Sequence, residues 1–214
     1  SIRRKNTQKM FNCHAHPGLY TENALVCSAD VKDISLISPF PYSSLGSLPF
    51  HEPDLCAMEK WAEKERFIGE VGVDRRFPDM GKQFQILNEI LSIAEKNRNI
   101  VTLHQVGWTR EFLDTVFSYN LKGAIFHSFT GSYETYMEIS EKGGIVSLSP
   151  KGEKTKFFSS LSERGLLYPI LTETDSLTGK EEEEELRKWN KKLSDTLDMD
   201  MEREVEDTFF KYIS

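Results

Sequence analysis

The chain has 214 residues, 29% of them charged, with a net charge of −7, which predicts a water-soluble protein with no global basic field for nucleic acid. Any polyanion it handles must therefore be met by local cations or by bound metal. The length allows a large core within one domain. The three cysteines, Cys13, Cys27 and Cys56, cannot all pair and match no zinc-finger spacing, so reduced thiols are expected.

Taken in chain order, residues 1–10 read as a mobile basic arm with Arg3, Arg4, Lys5 and Lys9, its Ser1 a cloning remnant. They lack the apolar centre of a signal peptide, and no later run is apolar enough to span a bilayer, so a cytoplasmic location is expected. Residues 11–214 then form one domain. After an apolar run ending at His14 and His16, residues 24–27 and 34–37 read as strands, and the Pro/Ser/Gly-rich stretch 38–49 reads as loop. That leaves no room for two full helices, so an early crossover is reduced to loop.

From Glu52 onward, helical spacing alternates with short apolar runs. Leu55, Met58 and Ala62 mark one helix, Phe84, Leu87, Leu91 and Ala94 a second, Phe112, Val116 and Phe117 a third, and Tyr136, Met137 and Ile139 a fourth. Thr109 and Ser132 are the expected N-caps of the last two, each with an acid in the first turn. The strands between them are Phe67-Ile68 and residues 100–103, 124–126, 144–148 and 168–171. Runs without polar alternation suit strands covered on both faces, hence a parallel sheet, doubly wound or closed into a barrel. Residues 180–197 and 202–212 are extra C-terminal helices, the first with Leu186, Trp189 and Leu193 inward, the second with Val205 and Phe209 on one face. The acidic run 181–185 is expected to be a solvated helix start.

Potential metal ligands stand at the strand ends. His14 and His16 are two apart, so on a strand they face the same side. Glu70, between Gly69 and Gly72, closes a buried run; His104 and His127 close two more, and Asp175 the last. Singly each has an ordinary explanation, such as a core histidine or a helix cap. Jointly they occupy the carboxyl ends of successive strands, which converge on one face in a barrel. They use four of the five histidines. Four imidazoles and two carboxylates exceed what one tetrahedral zinc needs, favouring two ions roughly 3.5–4 Å apart.

The set H-x-H (His14, His16), G-E-x-G-x-D (Gly69 to Asp74) with Gln83 in the next helix, His104, His127-Ser128-Phe129-Thr130-Gly131-Ser132 and Glu173-Thr174-Asp175 resembles the TatD-type metal-dependent deoxyribonucleases, amidohydrolase-like TIM barrels. The resemblance implies a (β/α)8 TIM barrel and two divalent metal ions, Zn²⁺, Mn²⁺, Co²⁺ or Mg²⁺. His14, His16 and Asp175 would hold one, His104 and His127 the other, with Glu70 bridging. It also implies hydrolysis by an activated water with Asp175 as proton acceptor. The chain departs from the family where a histidine-x-arginine becomes His104-Gln105-Val106, where a G-x-H-P motif becomes Ser47-Leu48-Pro49-Phe50-His51, and where a proline-containing loop after Asp175 becomes Ser176-Leu177-Thr178-Gly179. Substrate contacts then fall to Arg75, Arg76, Trp108, Arg110 and Lys151, on loops at the metal face. DNA or a small phosphodiester is the expected substrate; a small ester, lactone or amide is the alternative, and a non-catalytic metal-binding descendant the third reading. No obligate protein partner is evident.

Overall fold

Eight short, almost wholly buried strands run parallel in sequential order. In the computed structural model, which describes residues 10–107 and 109–214, they are β1 (Asn12–Ala15), β2 (Ala24–Cys27), β3 (Ser43–Ser47), β4 (Phe67–Asp74), β5 (Ile100–Val106), β6 (Gly123–Phe126), β7 (Ile145–Leu148) and β8 (Leu171–Thr172). Between and after them come α1 (Ile34–Ile37), α2 (Leu55–Ala62), α3 (Met80–Asn97), α4 (Thr109–Val116), α5 (Tyr133–Glu141), α6 (Lys156–Arg164), α7 (Lys180–Leu197) and α8 (Met201–Ile213). Apolar side chains from strands and helices merge into one continuous core. The predicted arm, apart from Met10, and Trp108 lie outside the described residues. No helix among the described residues is long and apolar enough to cross a membrane.

The ring is nearly closed, and its last join is made beyond β8. Asp175 N–H donates to the His14 carbonyl (3.1 Å), His16 N–H to Ser176 (2.8 Å) and Thr178 N–H to His16 (3.0 Å). Asn12 completes this seam: its amide donates to Thr174 Oγ1 (2.8 Å) and its carbonyl oxygen accepts from Thr174 N (3.2 Å) and His14 N (3.3 Å). The closure therefore joins the segments that carry three predicted ligands, His14 and His16 on one side and Asp175 on the other. This is a (β/α)8 barrel with a helix-free β1–β2 crossover and an extra helix, α8.

Several elements differ from expectation. Residues 34–37 are not a strand but the one-turn helix α1, following a 3-10 turn over Val31–Asp33 capped by Asp30, whose carboxylate accepts from Lys32 N–H at 3.0 Å. The missing strand is β3, inside the stretch read as loop. Its composition, Ser43-Ser44-Leu45-Gly46-Ser47, is that of a turn, yet all five residues are buried. Small residues are needed there because a side chain at Gly46 would strike the backbone of Ser28 and Glu70. β4 continues through Glu70 to Asp74 rather than ending at Ile68, and β8 is only two residues long. Helix α6, unassigned in the sequence reading, buries only Phe157 and Leu161. Thr109 lies within α4 rather than capping it, whereas Ser132 accepts from Thr135 N–H at 3.0 Å as a cap should. In the acidic run, Glu182 is buried against Asn12 instead of solvated.

Candidate metal centre

Glu70 lies at the centre of the constellation, 2% exposed. Two glycines on β4 set its position. Gly69 holds φ 124°, a region other residues rarely adopt, and a side chain at Gly72 would meet the His104 carbonyl on β5. Glu70 can therefore reach the strand ends on both sides. Its Oε1 lies 2.8 Å from His104 Nδ1 and 2.8 Å from His127 Nε2. Its Oε2 lies 3.4 Å from His14 Nε2. Asp175 Oδ1 completes the second side, 3.2 Å from His16 Nε2 and 3.9 Å from His14 Nε2. The two oxygens of one carboxylate thus face two different sets of histidines, and all six predicted residues meet at one end of the barrel.

Three of the imidazoles have their remote nitrogen occupied, which fixes how each ring presents itself. His16 Nδ1 is 3.1 Å from the Cys27 carbonyl, His104 Nε2 is 3.1 Å from Asp74 Oδ2, and His127 Nδ1 is 3.4 Å from Glu173 Oε1. Ser128 N–H also donates to Glu173 Oε1 (2.9 Å), holding that carboxylate in place. Asp74 and Glu173 thus orient the site. Neither is among the ligands expected from the sequence, where the signal that marks them is a second carboxylate within each ligand string, Asp74 after Glu70 and Glu173 before Asp175. Ser128 (φ 46°) and Asp175 (φ 56°) both adopt left-handed backbone, at a cost on the order of 1 kcal/mol each, and both stand at the mouth of the site.

The electrostatics follow from this packing. Burial, then the nearby His127, lower the His14 pKa and favour a neutral ring. Burial alone would raise the Glu70 pKa, but the charge of His127 and hydrogen bonds from His104 and His127 hold it well below the usual carboxylate range. For His127, burial is outweighed by Glu70 and Glu173, and its pKa rises. Asp175 is likewise held low despite burial, by His16 first and then the charges of His127 and His14. Burial pushes the Cys13 and Cys27 thiols up, so neither offers a thiolate.

These residues fit a divalent cation. His14 is fully buried, yet neither ring nitrogen has a hydrogen-bond partner. Its ligand atom, those of His16 and Glu70, and separately those of Glu70, His104 and His127, lie within 4.8 Å of one another. A third such group joins His14 and His127 with Glu173. Imidazole and carboxylate donors together suit first-row divalent ions. The sequence profile of the TatD related DNases matches residues 3–208. The chain belongs to the TatD family of metal-dependent hydrolases. Among its relatives is a metal-dependent hydrolase of Methanocaldococcus jannaschii, named as uncharacterized, 29% identical over 51% of this chain and 43% of that protein. The chain therefore spans less than half the length of the curated relatives it matches. Two crystal structures share the fold: the TatD homologue YJJV of Escherichia coli K12, with TM-score 0.79 and 17% identity over 96% of this chain and 98% of that one, and a TatD family hydrolase of Entamoeba histolytica, with TM-score 0.67 and 12% identity over 93% and 95%.

In this TatD protein the expected substrate cations part company. Arg110 does not turn to the metal face: it bonds Glu138 on α5 (2.7 and 3.0 Å) and Asp114 on its own helix (3.0 Å). Lys151 reaches the site, with its ammonium 2.6 Å from Asp175 Oδ2. Arg75 is exposed and its side chain packs beside Gly107, while Arg76 grips Asp74. His51, the fifth histidine, pairs with Asp30 at 3.1 Å.

The Asp74–Arg76 pair makes a testable contribution to stability. Burial would raise the Asp74 pKa, but the bonds from Arg76 bring it down from 3.8 to about 2. The folded carboxyl therefore stays charged where the unfolded one is protonated, so its stabilisation is present above about pH 4 and is lost as pH falls towards 2. With Arg76 mostly solvated, Asp74→Asn is expected to cost about 1–2 kcal/mol at pH 7. Urea titrations from pH 7 to pH 3 should show the gap from wild type narrowing below about pH 4; a constant gap would refute the account.

Proposed function

We propose that this TatD-family protein is a deoxyribonuclease that hydrolyses phosphodiester bonds with two divalent ions. The observation that carries the reading is the division of the Glu70 oxygens between two histidine sets. His14, His16 and Asp175 would hold one ion, His104 and His127 the other, and Glu70 would bridge them. Ions held there supply charge neutralisation and activation of water. The chain's own residues supply the rest. Asp175, ionised at any working pH, accepts the proton of the attacking water, and its left-handed backbone and the Lys151 contact fix where it points. Asp74 and Glu173 keep His104 and His127 oriented, so the site needs little rearrangement to meet the developing negative charge. Glu70 and the four imidazoles lie largely out of water, which strengthens each of these interactions.

The pairing of Arg110 with Glu138 and of Lys151 with Asp175 favours a second reading, hydrolysis of a small ester, lactone or amide by the same residues. Turnover of end-labelled single-stranded DNA with Mg²⁺ or Mn²⁺, beside a chelated control, separates the two. Metal-dependent loss of nucleotides is the expected result. Intact DNA with a metal-loaded protein would overturn the nuclease reading in favour of the second.

A further inference from the structure

We infer that Arg76 forms an anion subsite beside the metal ligands, where a phosphate neighbouring the scissile one in a single-stranded polynucleotide binds. The inference rests on the nuclease reading and deepens it to a substrate class. Asp74, at the end of β4, is fully buried, whereas the Arg76 side chain is 63% exposed. A buried carboxylate committed to a solvent-facing guanidinium is not an ordinary surface pair. Asp74 Oδ1 accepts from the Arg76 backbone N–H (2.9 Å) and from Nε (2.9 Å), while Oδ2 accepts from Nε (3.0 Å) and Nη2 (2.5 Å). The same Oδ2 lies 3.1 Å from His104 Nε2, so the guanidinium stands one carboxylate away from a predicted ligand.

This grip uses one edge of the guanidinium. Nη1 has no bond among the described residues, so on this largely exposed side chain it is left as a donor for a phosphate oxygen. The neighbouring Phe77 ring packs 4.7 Å from Phe50, which is 45% exposed. Single strands are bound by pairing a cation for the phosphate with an exposed ring for the base, and here the ring is carried by Phe50 against the residue that follows Arg76. Arg110 differs in having both terminal nitrogens bonded to Glu138 and Asp114.

The test is the salt dependence of binding of a fluorescein-labelled thymidine phosphorothioate strand, followed by anisotropy with Mn²⁺ present. One lost phosphate contact lowers the slope of log K against log salt by about 0.7, equivalent to about fivefold weaker binding near ~0.1 M salt. Arg76→Gln is expected to show both, and Arg76→Lys, which keeps the charge, to restore the slope. A merely structural role in holding Asp74 leaves the slope unchanged. A wild-type slope in Arg76→Gln, or no binding by the wild-type protein, would overturn the subsite. Cleavage of an ordinary phosphodiester strand is measured on the same proteins. A strand bound through Arg76 but left uncut removes the nuclease reading and keeps the subsite; a strand cut with a slope independent of Arg76 does the reverse.

Discussion

Glu70→Gln is expected to lower turnover by on the order of 10²–10³ and to reduce divalent metal content to one ion per chain or fewer. The side chain keeps its shape, so the loss measures charge rather than packing. Glu70 is buried among three imidazoles, and its ionised form is what those rings stabilise. An amide presents one oxygen and one NH₂, so one of the two histidine sets would face a donor instead of an acceptor. The variant should fold, because the neutral amide also removes the burden of a buried charge. Metal analysis by mass spectrometry together with steady-state rates decides it: two ions and full activity in Glu70→Gln would end the bridging assignment.

The second large effect is expected at Asp175. Asp175→Asn should reduce kcat by on the order of 10²–10⁴, with circular dichroism and thermal stability close to wild type. Its fold role is carried by the backbone, whose N–H donates to His14, and asparagine tolerates the left-handed conformation that the position requires. What asparagine removes is the carboxylate proposed to accept the water proton, and the charged partner of both His16 and Lys151. Measuring kcat and KM separately discriminates the roles: an unchanged kcat with a raised KM would mean that Asp175 binds substrate and accepts no proton.

Much of the architecture was legible because its signals are local. Helices α3 and α7 declare themselves by spacing alone, and the buried parallel strands by runs such as Ile100 to Leu103 without polar alternation. β3 was illegible because its smallness answers to neighbours distant in sequence, Ser28 and Glu70, so turn composition and strand geometry conflict there. Glu182 was misjudged for the same reason. An acidic run at a helix start belongs in solvent unless a partner waits inside, and Asn12 supplies that partner from 170 residues away.

The site divides along the same line. The amino-acid sequence by itself determined the candidate ligand types and their placement at strand ends, since period-two geometry and strand succession are written in spacing. Only the tertiary structure decided which oxygen of Glu70 faces which histidines, that Asp74 and Glu173 orient His104 and His127, and which cations remain free. Arg76 and Arg110 look alike in sequence, yet one grips a buried carboxylate beside His104 and the other is held by Glu138 on a neighbouring helix. A side chain's chemistry is set by its covalent structure, but its availability is set by what the fold places within about 3 Å of it.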